Sequence, residues 1–87
     1  MTKFDFLDGN GPVPAHKHSN GDGWVADTAT VDDSVYVGPD ARVFGNARVS
    51  GNALVFDDAE VSGNARVSDN AWVFGNARVS GNVLLDK

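Results

Sequence analysis

A chain of 87 residues with a formal net charge of −5 and no cysteine rules out several classes at once. It makes one small domain, holds neither disulfides nor thiolate metal sites, and has no basic cluster of the kind that grips a nucleic-acid backbone. No run is long and apolar enough to span a membrane as a helix, and an apolar fraction of 41% argues against wholesale disorder.

Residues 1–20 read as an N-terminal arm or cap. The opening MTKFDFLDGN carries acids where a secretory signal carries a basic region and then an apolar stretch, so a cytoplasmic location is expected. Phe4, Phe6 and Leu7 precede the turn-rich DGNGPVP. Three destinations are open to such an arm: capping the regular part, covering an apolar face of the same chain, or crossing to a neighbour. His16 and His18 flank Lys17. In an extended segment the two imidazoles share a side and form a candidate metal pair, with a third ligand to come from elsewhere. A solvated loop is the plainer reading, and no cofactor is expected.

From residue 21 to residue 87 the chain repeats. Stepping by six from Val25 meets Val31, Val37, Val43, Val49, Val55, Val61, Val67, Val73, Val79 and Leu85. Two places before each stands a mostly small residue: Gly23, Ala29, Val35, then Ala41 through Ala77 in steps of six, and Val83. Six fits an α-helix badly. Within each unit polar residues flank the valine as in a strand, and Gly-Asn, Asp-Asn, Asp-Asp or Pro-Asp pairs supply turns. Each hexad is therefore a short strand and a corner. Three of them close a triangular coil of eighteen residues, so the chain makes about 3.5 coils of a parallel β-helix, all β, with its valines inside.

The unit V-x-G-N-A-x resembles the hexapeptide repeat of the left-handed β-helix superfamily. The stretch GDGWVADTATVDDSVYVGPDARVFGNARVSGNA is similar to small bacterial and bacteriophage hexapeptide proteins that carry an acyltransferase label. The resemblance implies a left-handed coil and a homotrimer. In the enzymes of that superfamily the site is generally a cleft between subunits, served by a catalytic histidine in or beside the coil.

Residues eighteen apart share a face of the triangle. The first face carries Trp24, Ala26, Arg42, Phe44, Glu60, Ser62, Arg78 and Ser80, with Glu60 placed between two arginines. The second carries Thr30, Asp32, Arg48, Ser50, Arg66, Ser68, Leu84 and Asp86, and is almost wholly polar. The third carries Tyr36, Leu54, Phe56, Trp72 and Phe74 in register. The core does not need these five side chains, because the valines already fill it. An outward apolar patch of this kind marks an interface.

Chemistry is sparse. Residues 23–85 contain no histidine and no insertion, unlike the hexapeptide acyltransferases, and lack the spaced metal histidines of the γ-type carbonic anhydrases. There is no nucleophile motif and no phosphate loop. Asp32, Asp33, Asp57 and Asp58 read as corner residues. No catalytic residue is assigned. The leading expectation is a non-enzymatic module that self-associates, as a trimer by resemblance, through Tyr36, Leu54, Phe56, Trp72 and Phe74. Two others stay open. One is a small-ligand binder, a phage factor acting on its host among the forms it could take, holding a metabolite or nucleotide through Arg42, Arg48, Arg66 and Arg78 with Trp24 as a stacking surface. The other is an acyltransferase-like enzyme using His16 or His18 as base.

Overall fold

The computed structural model describes residues 2–6, 9 and 11–85; Leu7 of the arm and Asp86 of the second face lie outside them. Two arm strands come first, β1 (Lys3–Asp5) and β2 (Pro12–Lys17), followed by β3 (Trp24–Ala26). A two-residue strand then returns every six positions: β4 (Thr30–Val31), β5 (Tyr36–Val37), β6 (Arg42–Val43), β7 (Arg48–Val49), β8 (Leu54–Val55), β9 (Glu60–Val61), β10 (Arg66–Val67), β11 (Trp72–Val73), β12 (Arg78–Val79) and β13 (Leu84–Leu85).

The strands stack into three walls. β3, β6, β9 and β12 form the first, β4, β7, β10 and β13 the second, and β5, β8 and β11 the third. Every pairing between coils is parallel and joins residues eighteen apart, as in Arg42 with Glu60, Arg48 with Arg66, and Leu54 with Trp72. The chain is thus an all-β triangular solenoid, as the six-residue period requires.

The corners explain why the strands stop after two residues. Ala59, Ala65 and Ala71 each donate their N–H three residues back, to Phe56, Ser62 and Ser68, closing a tight turn. The first residue inside these turns has positive φ: +59° at Asp57, +64° at Gly63 and +57° at Asp69. Glycine enters that region freely, and aspartate more readily than most residues. Gly63 answers a second demand, because a Cβ there would stand 2.8 Å from the backbone nitrogen of Gly81 in the next coil. Backbone bonds join the coils even at the corners, as where the Asn46 N–H donates to the Gly63 carbonyl at 2.8 Å. Side chains add to this ladder. The Thr28 and Ser34 hydroxyls donate to the Gly45 and Gly51 carbonyls, and the Asp57 carboxylate accepts from the Gly75 N–H at 3.2 Å.

The inward column behaves as its spacing demands. Val25, Val37, Val43, Val49, Val55, Val61, Val67 and Val73 are at most 2% exposed. The small column from Ala41 through Ala71 is equally closed, and Val35 fits into it. The exceptions sit at the ends. Val31 is half-buried because no arm strand lies over β4. Ala77 and Val83 are exposed because no described coil follows theirs.

The arm adds to the first wall. β2 pairs antiparallel with β3, setting Ala15 against Ala26, and β1 pairs antiparallel with β2. Phe6 and Ala15 are thereby buried against Ala26 and Phe44, with Phe4, Val13 and Trp24 packed around them. No helix among the described residues is long and apolar enough to cross a membrane.

Candidate functional site

The third wall assembles the apolar residues singled out in the sequence. Tyr36, Leu54 and Trp72 stand in one register column, because β5 pairs with β8 and β8 with β11. Phe56 and Phe74 form the next column, their rings stacked with centroids 5.5 Å apart, and Phe56 meets Trp72 edge-on at 6.4 Å. Above Phe56 the column holds Gly38, whose missing side chain leaves room for the Tyr36 ring. Exposure is graded along the wall. Tyr36, Leu54 and Phe56 are half-buried, while Trp72 is 60% and Phe74 53% exposed. Tyr36 and Phe56 are sheltered by their neighbours, so exposure falls mainly on the last pair.

The first wall also carries aromatic residues, but here the chain covers them. Phe4 stacks on Trp24 at 4.6 Å and Phe6 on Phe44 at 4.8 Å, with Phe4 and Phe6 edge to face. Lys17 lies over the Trp24 ring and Arg42 over the Phe4 ring. Beyond the arm, Glu60 bridges Arg42 at 3.6 Å and Arg78 at 3.9 Å, the arrangement its position between them implies. Such surface pairs contribute about 0–1 kcal/mol each.

The second wall holds Arg48 and Arg66 directly across from one another. Together with the corner residues Asn46, Asn64 and Asn82 they line an open groove of about 660 Å³. The ligand candidates of the sequence are therefore divided between two walls: Trp24, Arg42 and Arg78 on the first, Arg48 and Arg66 on the second. The asparagine column was not singled out in the sequence. Its signal is there, since Asn46, Asn64 and Asn82 recur at eighteen-residue steps, but a Gly-Asn pair reads first as a turn.

The two histidines have separate partners. His16 Nδ1 lies 2.7 Å from Asp27 Oδ1 at the surface. His18 is 4% exposed, and its Nε2–H donates to the Val35 carbonyl at 2.7 Å. Among the described residues no group of three or more metal-ligating side chains is gathered. The corner aspartates do corner work, with Asp32 and Asp57 accepting from the N–H groups of Gly51 and Gly75.

A family model described as the YdcK beta solenoid repeat matches residues 41–57, 47–61 and 59–75. These overlapping windows lie wholly within the coiled region and cover all three walls. No curated protein and no solved structure matches the chain at a significant level. The similarity and the stacked walls together make the chain a β-solenoid repeat protein.

Proposed function

We propose that the chain is a non-enzymatic assembly module, whose third wall meets the same wall of other copies. The observation that carries this reading is the in-register pair Trp72 and Phe74, 60% and 53% exposed on a flat sheet. The rest of the molecule supplies the comparison. Where aromatic residues stand on the first wall, a second aromatic pair from the arm is stacked on them. On the third wall no segment of the described chain does the same. A second copy offers a surface of matching chemistry, and large aromatic residues favour the centres of such contacts. Burial of apolar surface stabilises association by about 25 cal/mol per Å² before the costs of ordering are counted.

A trimer is the state this reading favours, on the resemblance of the six-residue repeat to that of the hexapeptide superfamily. Its acyltransferase activity is not part of the reading. Burial of His18 and engagement of its Nε2 with a backbone carbonyl support leaving that residue out as its base. Light scattering on the purified protein at tens of micromolar is the test. The expected mass is that of a trimer, and Trp72→Asp combined with Phe74→Asp should return it to a monomer with the coil intact by circular dichroism. A wild-type protein that is already monomeric defeats the proposal.

A further inference from the structure

The corner-and-strand geometry repeats on every wall, so two walls can be compared groove for groove. On the first wall the groove is lined by Arg42 and Arg78 together with Asp40, Asp58 and Glu60. Two positive charges meet three negative ones, and both arginines are paired with Glu60. On the second wall Arg48 and Arg66 line a groove with no acidic residue among the described residues that form it. Among the described residues neither arginine has an ion-pair partner. Their backbones are adjacent strands of one parallel ladder, about 4.8 Å apart. Like charges directly opposite destabilise a sheet, and this pair sits in a protein of net charge −5. The conflict is relieved when an anion lies between the guanidinium groups.

We propose that this groove binds a multiply charged oxyanion, held by Arg48 and Arg66. The guanidinium fork suits phosphate and carboxylate oxygens equally. Asn46, Asn64 and Asn82 run along the same groove, one per coil. Their amides offer neutral donors over two coil steps, about 10 Å. An elongated anion with charges at more than one point, of the diphosphate or polycarboxylate type, fits this arrangement better than a single compact ion. The site lies on a different wall from the proposed homotypic contact, so it stands or falls separately.

Calorimetric titration of the intact protein with pyrophosphate and, separately, with citrate at low ionic strength tests it. Binding in the range of about 1 mM or tighter is expected for at least one probe. The stronger of the two tells phosphate from carboxylate chemistry. Arg48→Gln with Arg66→Gln should weaken binding at least about tenfold, while Arg42→Gln with Arg78→Gln should leave it within about twofold. All four side chains lie outside the core, so both double variants should keep the circular dichroism spectrum of the parent. In the parent protein, the arginine Nε–H resonances of Arg48 and Arg66 should shift on titration and those of Arg42 and Arg78 should not. No heat from either probe up to about 10 mM overturns the proposal. So does equal loss in the two double variants, which would mean general charge attraction.

Discussion

At the N-terminal end of the solenoid, the hairpin β1–β2 lies along β3, and residues 18–23 close the edge of β5. The Val37 N–H donates to the Asn20 carbonyl, the Gly23 N–H to the Val37 carbonyl, and His18 to the Val35 carbonyl. At the opposite end β11, β12 and β13 form the last described coil, and nothing described lies within 4 Å of where a Cβ on Gly75 or Gly81 would point. The two ends are built from different kinds of sequence. The repeat reproduces its own edge at every coil, so residues that obey the register can extend the stack but cannot terminate it. Termination takes residues outside the register, which here are those of the arm. Solenoids in general need such caps. The exposed large apolar residues, Trp72, Phe74, Val83 and Leu84, all lie in that last coil.

The largest effect should separate the interior from the surface of the last described coil. Val55 is fully buried in the triangle, and Val55→Asp places a charge there without a partner. The penalty is several kcal/mol against a total stability of about 5–15 kcal/mol, so the coil should be unfolded by circular dichroism at room temperature. Leu84, 64% exposed, should tolerate the same change within about 0.5 kcal/mol. Equal melting of the two variants would mean that the six-residue register does not define inside and outside.

The cap comes next in size. Phe6 is 2% exposed and stacked on Phe44. Phe6→Ala should cost about 3 kcal/mol in urea unfolding, through lost burial and the cavity left behind. Phe74→Ala removes a ring of the same kind from the last described coil. It should cost the monomer under about 1 kcal/mol, its main effect being on oligomer mass.

A finer comparison uses two glycines with the same backbone. Gly63 and Gly81 have φ of +64° and +67°, so an alanine is strained equally at both. Only at Gly63 would the new Cβ meet the next coil, 2.8 Å from the Gly81 nitrogen. Both variants should lose about 1 kcal/mol to backbone strain. Gly63→Ala should lose about 1–2 kcal/mol more, because neighbouring coils must part to admit a methyl group. The difference between the two melting temperatures measures how tightly the coils are stacked.

These contrasts also mark what the sequence discloses. The valine column, the small column and the sorting of Glu60 between Arg42 and Arg78 could all be read beforehand, because a strict period turns sequence position into spatial position. The arm has no period. Phe4 and Phe6 announce that they will be buried, but not that Trp24 and Phe44 receive them, since that depends on where the Pro12–Lys17 strand meets Trp24–Ala26. The grading of the third wall was hidden for another reason. A register says which way Tyr36 and Trp72 point, but not that the first is sheltered by its neighbours and the second is not.

His18 is the residue least legible in the sequence, and it supports the most local of the predicted effects. In the sequence it is half of a short His-Lys-His motif in a polar stretch. In the fold it is buried, and its Nε2–H answers a carbonyl on the β5 edge that an earlier coil would otherwise have answered. His18→Leu keeps an apolar body of similar size but leaves the Val35 carbonyl without its donor, at a cost of about 1–2 kcal/mol. His18→Gln retains an N–H donor and should recover about half of that. The loss should be local. Hydrogen exchange should speed up at the amides of Gly23 and Val37, which hold the cap to β5, and should be unchanged at the amide of Leu54, which donates to the Ala71 carbonyl two coils away from the cap. Uniform loosening of all three would make His18 a general packing residue. Loosening confined to the first two assigns it to closing the N-terminal edge, where the repeat has no residue of its own to do so.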